Sequence, residues 1–360
     1  MTLKRFLYIQ YQIRRFMTGK NKFYLGTLTK KPSLIFRELN DWMLKGDDLN
    51  TMYYAYGLNE AGTRQSDFIG TREYLDIKHR TEARIVKRYG NPALNYDILT
   101  KDKFIANSFF QANHIPCIPH LGTFTKGRFV DTNNDLHDLS YMVENNPEIV
   151  LKNLTLEAGE GVLLIQNTAQ GLLIDSQPTH INDAEKRLEN GIWLVQPRIH
   201  SHEAIQEVNG TALNTTRIVT ILNGDEPVFL TGFQAFATGD RTTDSWSKGS
   251  IYVGIDVEKQ CLKKHGYYNL SIPDKSIALE HPESHITFEG YAIPHMDEAV
   301  NLCIKAHRLL FFNFLVGWDV AITNEGPVIV EANEKPGMNI VQAMDGGLKA
   351  KIVQYASHIH

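Results

Sequence analysis

Two acidic residues and an asparagine stand in an otherwise apolar part of the sequence, GWDVAITNEGPVIVEAN, residues 317 to 333. The acids are Asp319 and Glu331, and Asn333 lies two residues beyond the second acid. Burying carboxylates is costly unless a cation or dense hydrogen bonding compensates their charge. Oxygen ligands suit a hard cation, and Mg²⁺ takes one or two carboxylates and completes its octahedron with water and phosphate oxygens. We therefore predict that these three residues hold Mg²⁺, with Mn²⁺ as an alternative.

The same stretch predicts the element that would position these ligands. GWDVAIT and PVIVEAN are rich in Val and Ile, and the NEGP between them is typical of a turn, so we predict a β-hairpin. A turn centred on residue 325 places Asp319 opposite Glu331 and Ala321 opposite Ile329. Alternation then puts Asn333 on the face of Glu331. The residues expected to face the core are Val320, Val328, Val330 and Ala332. The alternative is a partly exposed hairpin whose acids face solvent.

Three cationic residues upstream could oppose a phosphate group. Lys152 ends the apolar run EIVLK, and the loop that follows contains Gly159 and Gly161, whose backbone N–H groups could join the lysine in binding phosphates. A glycine pair between strands is more often a tight hairpin, and this alternative stays open. Lys103, at the start of a helix, is similarly ambiguous because exposed lysines are common. Arg217 lies in the Val/Ile-rich run NTTRIVTI, where a guanidinium needs an anionic partner.

The elements that would carry these residues follow an α+β order. Helical stretches such as PSLIFRELNDWMLKG alternate with polar turns in residues 1 to 95. A helix in KDKFIANSFFQANHIP follows, then strands between 120 and 130, at EIVLK and at GVLLIQ, and a helix near 182 to 190. Strands at GIWLVQPRI, TTRIVTIL and FLTGFQAFAT, a helix at 295 to 313 and the hairpin complete the order.

Composition and charge exclude several classes of protein. The 360 residues are 42% hydrophobic and 22% charged, and the net charge of −4 provides no basic field for binding nucleic acid. Cys117, Cys261 and Cys303 are far apart, so neither a disulfide framework nor a zinc site is predicted. There is no signal-peptide pattern and no apolar run long enough to cross a bilayer. We expect a cytoplasmic protein.

The first 31 residues depart from this ordinary charge pattern. They contain eight basic residues and no acid, interleaved with apolar side chains. Such a pattern predicts a basic amphipathic helix that lies on an anionic membrane surface, which would make the protein peripheral at the inner face of the membrane. The alternative is a helix packed against its own protein with its basic face in water.

Taken in order, these motifs resemble the ATP-grasp superfamily, and within it the sugar-transfer-associated branch, related to glutamate-ligase-like carboxylate-amine ligases. The resemblance covers residues 50 to 345, and its most specific part is GWDVAITNEGPVIVEANEKPG. The other segments that carry it are YYAYGLNEAG, KDKFIANSFFQANHIP, IVLKNLTLEAGEGV, WLVQPRI and LNTTRIVTI.

The resemblance implies an ATP-grasp fold, in which two α+β subdomains clasp ATP. We expect a basic, mostly helical N-terminal region at 1–95. The ATP-grasp N-terminal subdomain, with the phosphate loop, would be 96–190, and the C-terminal subdomain, with the metal site, 191–360.

Carried over by position, the resemblance also implies roles for single residues. Lys103 and Lys152 would contact ATP phosphates, with Lys152 also near the adenine, and Gly159 and Gly161 would belong to the phosphate loop. Arg217 would neutralise phosphate or the forming acyl phosphate, so Arg217 and Lys152 are the candidate catalytic residues. The acids and the asparagine of the hairpin would hold Mg²⁺.

An adenine and ribose site is implied as well. The backbone around Val195, with Gln196, would meet the adenine edge in the hinge between the subdomains, and Glu203 would reach the ribose. One departure matters. Many relatives have an arginine two residues before the first metal acid, where this sequence has Gly317. We therefore expect Arg217 to do more of the anion binding.

The activity implied is that of an ADP-forming, ATP- and Mg²⁺-dependent ligase that joins a carboxylate to an amine through an acyl phosphate. The branch implies a small-molecule or sugar-linked carboxylate and a role in the modification or biosynthesis of a surface polysaccharide or sugar conjugate, by association rather than by chemistry. Metal and cations would spread the charge of phosphoryl transfer. Two alternatives remain, namely a kinase of a sugar or small molecule and a non-catalytic nucleotide-binding module.

Overall fold

The computed structural model of the chain describes residues 3–18, 29–46, 49–154, 161–269 and 277–359. Its helices are α1 (Leu3–Thr18), α2 (Pro32–Gly46), α3 (Thr71–Tyr89), α4 (Ile98–Lys101), α5 (Lys103–Ala112), α6 (Leu139–Asn145), α7 (Ile181–Leu188), α8 (Glu203–Val208), α9 (Met296–Leu309), α10 (Met338–Asp345) and α11 (Lys349–Ser357). Its strands are β1 (Gly122–Thr125), β2 (Arg128–Asp131), β3 (Leu136–His137), β4 (Glu148–Asn153), β5 (Val162–Thr168), β6 (Gly171–Ile174), β7 (Gln177–Thr179), β8 (Ile192–Pro197), β9 (Thr216–Asn223), β10 (Glu226–Phe236), β11 (Ile251–Asp256), β12 (Cys261–Tyr267), β13 (Ile277–Ala278), β14 (Leu315–Thr323) and β15 (Gly326–Asn333).

The strands form two antiparallel sheets, so the mixed α+β class expected from the sequence is confirmed. The first sheet has eight strands in the order β3-β2-β1-β8-β4-β5-β6-β7. The second has seven, in the order β13-β12-β11-β10-β9-β14-β15. Each sheet is built mainly of hairpins between consecutive strands, which is the usual connectivity of antiparallel sheets.

Strand β8 belongs to the first sheet, where it lies between β1 and β4. A boundary at residue 190, as expected from the sequence, would cut this sheet in two and needs correction. The chain returns through β8 before it leaves the sheet after Pro197. Sequence pattern does not report this, because an apolar run such as GIWLVQPRI shows that a strand exists but not which strands it pairs with.

Helices cover both faces of the seven-stranded sheet. One face packs against the N-terminal helices and against α10 and α11, and its core includes Leu39, Val219 and Ile352. The other face packs against α5 and α9, through residues such as Phe110 and Trp318. Thus α5, which the sequence assigned to the N-terminal subdomain, is packed on the second sheet. The first sheet has a separate core with α6 and α7.

The predicted hairpin is formed by β14 and β15, with two pairing registers. Asp319 lies opposite Glu331, as predicted, but Ala321 lies opposite Val328 and not Ile329. The register shifts between Asp319 and Val320, which leaves Val330 as an extra residue on β15. A β-bulge of this kind interrupts the alternation of side chains.

The bulge also changes which side chains of β15 reach the core. Ile329 and Ala332 are buried, at 2% exposure each, whereas Val328 and Val330 are only partly buried. Val330 instead lines the cavity described below. The expectation that Val328 and Val330 face the core is therefore wrong, while Val320 and Ala332 do so.

The basic N-terminal segment includes α1, whose apolar residues are used inside the protein. Ile9, Ile13 and Phe16 are buried in the core that also contains α2. For those three residues this agrees with the alternative of a helix packed against its own protein. The outer side of α1 exposes Tyr8 and Tyr11, each 59% accessible. In the part of the chain that the structure describes, no helix has the length and apolar character needed to cross a membrane.

Candidate functional site

A cavity of about 940 Å³ opens between the two sheets, at the upper end of the range for small-ligand sites. Residues that are far apart in sequence meet there. The first sheet supplies Lys152 and Gln196, and the second supplies Arg217 and the acids of the hairpin. The residues predicted from the sequence that line the cavity are Lys103, Lys152, Gly161, Gln196, Arg217, Asp319, Glu331 and Asn333.

Arg217 pairs with Asp319 across two neighbouring strands. The residues lie directly opposite each other on β9 and β14. Nε donates to Oδ1 at 2.6 Å and Nη2 donates to Oδ2 at 3.1 Å, while Nη1 donates to the Pro336 carbonyl at 3.2 Å. Burial acts to lower the pKa of Arg217, but the charge and hydrogen bonds of Asp319 outweigh it, so the pKa is raised. The anionic partner that the sequence requires is therefore Asp319.

Glu331 and Asn333 lie beside this ion pair. Asn333 Nδ2 donates to Asp319 Oδ2 at 3.2 Å, and Glu331 Oε1 lies 3.9 Å from Lys103 Nζ. Burial and the negative charge of Asp319 raise the pKa of Glu331, and the nearby cations partly oppose this shift. The Asp319 side chain is only 18% exposed. The three oxygen-bearing side chains line one cavity. Asp319 is paired there and does not simply face solvent, whereas the Glu331 side chain is 38% exposed.

This arrangement fits a divalent cation. Two carboxylates face each other across the hairpin, and burial, with the charge of Asp319 as a second cause, raises the pKa of Glu331. Asp319 Oδ2 accepts from both Arg217 and Asn333, but Oδ1, counting the residues that the structure describes, accepts only from Arg217 Nε and keeps a lone pair for a cation. Among the described residues no group of three His, Cys, Asp or Glu side chains could hold a metal. The third protein ligand would be the amide oxygen of Asn333.

Lys152 points from β4 into the cavity. Leu151 and Asn153 on either side of it are buried on the other face of the strand. Burial lowers the pKa of Lys152 and nearby Lys103 reinforces this, whereas Glu331 and Asp319 oppose it. A phosphate bound beside Lys152 would stabilise the charged form of the lysine and oppose the effect of burial on its pKa.

The predicted phosphate loop ends at Gly161, directly before β5. Gly161 has a φ of +70°, which favours glycine, and its carbonyl accepts a hydrogen bond from Asn153 N at 2.8 Å. Gly161 thus closes the end of the loop against β4. Gly159 lies outside the described residues, so the choice between a tight hairpin and a phosphate clamp stays a prediction.

Lys103 owes its position to a helix cap. Asp102 is the N-cap of α5, and its Oδ1 accepts from the backbone N–H groups of Phe104 and Ile105, both at 2.9 Å. Such a cap fixes where a helix begins. Because Lys103 is the first helical residue, its side chain is held at the cavity beside Glu331.

Gln196 brings a buried acceptor to the cavity wall. Its side chain is 2% exposed, and Nε2 donates to the Ile118 carbonyl at 3.0 Å. Its Oε1 has no hydrogen-bond partner among the described residues. An unsatisfied buried acceptor costs free energy. A ligand that donates a hydrogen bond here would remove that cost.

The family of the chain follows from comparison with known proteins. A family model described as sugar-transfer associated ATP-grasp matches residues 81–355, well over half of the chain. The chain belongs to this family. Membership confirms the resemblance to the ATP-grasp superfamily seen in the motifs. No curated protein sequence matches the chain.

Several solved structures are similar to this ATP-grasp protein at low identity. They include the D-alanine-D-alanine ligase from Coxiella burnetii, with 12% identity and a TM-score of 0.40 over 73% of this chain and 59% of that one. Phosphoribosylamine–glycine ligase from Thermotoga maritima has 12% identity and a TM-score of 0.43, over 74% and 56%. The ATP-grasp ligase PsnB, complexed with minimal precursor, Mg and ADP, has 10% identity and a TM-score of 0.39, over 75% and 62%. The chain thus spans less than two thirds of their lengths.

Two residues expected at the nucleotide of an ATP-grasp protein are displaced from the cavity. Val195 is fully buried in the first sheet, and its carbonyl accepts from Leu121 N at 2.8 Å. Its neighbours from Gln196 onward line the cavity instead. Glu203 is exposed in the first turn of α8, and its N–H donates to Asn324 Oδ1 at 3.1 Å. The helix start directs Glu203 away, while Ser201 just before it lines the cavity.

The sequence interpretation missed a carboxylate in this ATP-grasp cavity. Asp244 lies in the loop between β10 and β11 and lines the cavity together with Trp246. Thr215 donates to Asp244 Oδ2 from its backbone N at 2.7 Å and from Oγ1 at 2.6 Å. The loop has no periodic pattern from which a contact could be inferred. A tryptophan in a polar loop was the only available signal.

The sequence interpretation also missed a group of charged residues close to the end of the hairpin, in which Lys78 and Glu334 are buried. Lys78 of α3 is 1% exposed and lies 2.7 Å from Glu82 and 3.8 Å from Glu334. Lys101 is 3.2 Å from Glu334, the residue after Asn333. Burial raises the pKa of Glu82 to about 7, against the opposing charge of Lys78. This group connects α3, which begins ahead of the family match, to the strand that carries the predicted metal ligands.

Proposed function

We propose that this ATP-grasp protein is an ATP- and Mg²⁺-dependent, ADP-forming carboxylate-amine ligase that acts through an acyl phosphate. The observation that carries the proposal is the convergence in one cavity of two lysines, the Arg217–Asp319 pair, Glu331 and Asn333. Cations and metal ligands at one end of a nucleotide-sized cavity suit phosphoryl transfer, whose catalysis rests on positioning and on spreading charge.

Each residue has a place in this proposal. Lys103 and Lys152 would bind the ATP phosphates, and Asp319, Glu331 and Asn333 would hold Mg²⁺, which would offset phosphate charge. The free Oε1 of Gln196 accepts a hydrogen bond from the exocyclic amino group of adenine. Arg217 lies where charge develops on the transferred phosphoryl group.

The substrates are proposed on the basis of the family name. Sugar-transfer association favours a sugar-linked or small-molecule carboxylate and an amine, in the modification of a surface polysaccharide or sugar conjugate. We further propose two ATP-grasp subdomains that meet after Pro197, so that each sheet stays within one unit.

The fate of the phosphoryl group tests the reaction class. Uronic acids, other sugar-linked carboxylates and amino acids are first screened for ADP release in the presence of amines. An active carboxylate labelled with oxygen-18 should then transfer one label to free phosphate, because the amine displaces phosphate from the acyl phosphate. A phosphorylated product with no label in phosphate would indicate a kinase. Release of AMP and pyrophosphate would contradict both.

Two alanine variants separate the proposed roles within this reaction. Lys152→Ala should weaken ATP binding, since the lysine contacts the bound nucleotide. Arg217→Ala should reduce mainly turnover, since its partner charge develops during transfer. Steady-state kinetics close to wild type in both variants would mean that the reacting groups lie elsewhere.

A peripheral membrane contact is a separate proposal and rests on the outer side of α1. Leu7, Tyr8 and Tyr11 are exposed there, and Arg14 and Arg15 are exposed on the same helix. Aromatic rings and arginines suit the headgroup region of an anionic leaflet, as at the inner face of the cytoplasmic membrane. The full-length protein should sediment with anionic vesicles at low salt and be released at high salt. Failure to bind at low salt would leave α1 with an intramolecular role only.

A further inference from the structure

Asp244 is a partly buried carboxylate without a counter-ion. Its hydrogen bonds from Thr215 both go to Oδ2. Within the described part of the chain no lysine, arginine or histidine lies within ion-pair distance of it, and Arg217 is paired with Asp319. Burial raises the pKa of Asp244 to about 6, and the charge of Asp319 adds to this, so the carboxylate is still ionised at neutral pH. A buried unpaired charge is costly unless a ligand compensates it.

Three aromatic rings line the same cavity as this carboxylate. Phe233 and Tyr252 stack with their centroids 4.5 Å apart, and Trp246 lies 4.7 Å from Tyr252. The three rings line the cavity with Asp244. The loop is held in place by Tyr252, whose hydroxyl accepts from Trp246 N at 3.0 Å and donates to the Asp244 carbonyl at 3.3 Å. Aromatic rings attract cations through their negative faces. Arg217 Cζ already lies 5.9 Å from the Phe233 centroid, so Trp246 and Tyr252 are the rings that remain for an ammonium group.

The carboxylate also lies close to the proposed phosphoryl position. Thr215 and Arg217 are two residues apart at the start of β9, so their side chains share a face and are spaced by about 7 Å along an extended chain. The first binds Asp244 and the second binds Asp319. An ammonium nitrogen bound by Asp244 would therefore sit beside the anion-binding end of the cavity.

We propose that Asp244, held by Thr215 in a cavity that Trp246 and Tyr252 also line, binds the primary ammonium group of the acceptor substrate. The inference rests on the proposed ligase function, because it assigns the place of the amine in that reaction. Neutral hydroxyl compounds of the same size lack the charge that Asp244 needs and bind weakly.

Matched probes test the inference without any knowledge of the natural substrate. Ethanolamine and ethylene glycol differ by an ammonium in place of a hydroxyl group, and glucosamine and glucose differ in the same way. Affinities are measured at pH 7.5 by ligand-observed NMR or calorimetry on the full chain, with and without Mg²⁺ and a non-hydrolysable ATP analogue. We expect the wild-type protein to bind ethanolamine at least about tenfold more tightly than the diol, as a factor of ten needs only ~1.4 kcal/mol.

Two variants in one loop provide the comparison. Asp244→Asn keeps an oxygen that accepts the bonds from Thr215 but removes the charge, and it should abolish the preference for ammonium. Asp240→Asn makes the same change at an exposed position of the loop and should retain the preference. Equal selectivity in wild type and Asp244→Asn, or no selectivity in wild type, would overturn the inference.

Nucleotide binding distinguishes this failure from a failure of the ligase proposal. If Asp244→Asn binds the ATP analogue as well as wild type does, the fold and the nucleotide site are intact and the loss belongs to the ammonium site. If the wild-type protein binds ammonium selectively but binds no nucleotide, the ligase proposal fails while the ammonium site stands.

Discussion

At the scale of single residues, Gly317 shows why Arg217 is the arginine of this site. A Cβ atom at position 317 would lie 2.4 Å from Pro336 Cβ and 3.6 Å from Arg217 Cδ. Pro336 in turn accepts a hydrogen bond from Arg217. The space beside position 317 is therefore occupied by Pro336, with Arg217 of β9 next to it. The expectation that Arg217 does more of the anion binding stays a prediction.

Gly317→Ala should destabilise the protein by about 1–3 kcal/mol, the usual cost of forcing extra atoms into close contact. The proline must shift, and with it the carbonyl that positions Arg217. Urea denaturation measures the change in the free energy of unfolding. Gly210→Ala is the control, since its nearest neighbour would be the Gln206 carbonyl at an ordinary 3.5 Å. Equal stability of the two variants would show that the contact at Pro336 relaxes freely.

Glu331→Gln should reduce the strengthening of nucleotide binding by Mg²⁺ by more than about tenfold, the lower bound for residues that only support ligands. Gln retains the size of the side chain but removes one of two ligand charges. Calorimetry with an ATP analogue, with Mg²⁺ and with chelator, gives the ratio. Glu325→Gln in the turn of the same hairpin should leave it unchanged. A wild-type affinity that is independent of Mg²⁺ would remove the metal assignment.

At the scale of helices and strands, the sequence predicted the elements whose first and last residues are marked by local residue types. α2 begins at Pro32 and ends at Gly46, as PSLIFRELNDWMLKG predicted, because proline suits the first helical position and glycine the end. Which distant strands pair with each other was harder to predict from the sequence. The position of β8 between β1 and β4 depends on contacts that no local pattern encodes.

The site residues also divide into those that local sequence pattern identifies and those that it does not. Asp319, Glu331 and Arg217 could be found because acids and a guanidinium are unusual on Val/Ile strands. Asp244 and Lys78 could not, since one lies in a loop without periodicity and the other in a helix rich in charged residues. Glu203 was misplaced by its offset from Gln196, because the chain between them turns into α8.

The contact of α3 with the hairpin depends on one buried lysine. Lys78→Met should cost about 3–5 kcal/mol, because it leaves the carboxylates of Glu82 and Glu334 without their buried partner. Denaturant unfolding provides the measurement, and Lys87→Met, at an exposed position of the same helix, is the control. Partial recovery in Lys78→Met with Glu82→Gln would identify the unpaired charge as the cause. A loss no larger than that of Lys87→Met would rule out a structural role for the ion pair.

At the scale of the whole molecule, pH acts on stability through His307, which lies under the seven-stranded sheet. Its Nε2 donates to the Asn313 carbonyl at 2.8 Å, and its Nδ1 accepts from Thr220 Oγ1 at 2.7 Å. The Thr220 oxygen accepts from Trp318 Nε1 at 2.8 Å. Burial lowers the pKa of His307 to about 4, against the smaller opposing effect of the Asn313 carbonyl. The network is thus complete only with a neutral imidazole.

Acid should therefore weaken the protein through this residue. The unfolded chain takes up the proton near pH 6.5 and the folded one near 4, so the stability from a neutral His307 is full above pH 6.5 and is lost as pH falls toward 4. Compared with His307→Gln, the wild-type free energy of unfolding should drop by about 2 kcal/mol more between pH 7 and pH 5. Other titrating groups occur in both proteins and cancel in the difference. Parallel pH profiles would contradict a neutral, buried His307.

The extra residue at Val330 has a consequence for how relatives of this protein compare. Ile329 faces the core and Glu331 faces the cavity, although an unbroken strand would place two such residues on one side. Because of the bulge, Ile329 can face the core while Glu331 faces the cavity. In a chain without position 330 these two residues would be neighbours, and the normal alternation of side chains would place them on opposite faces. Val330 is therefore the place in the hairpin where a residue can be lost while Asp319, Glu331 and Asn333 keep their common face. In an alignment of relatives whose strands differ by one residue, the gap belongs here.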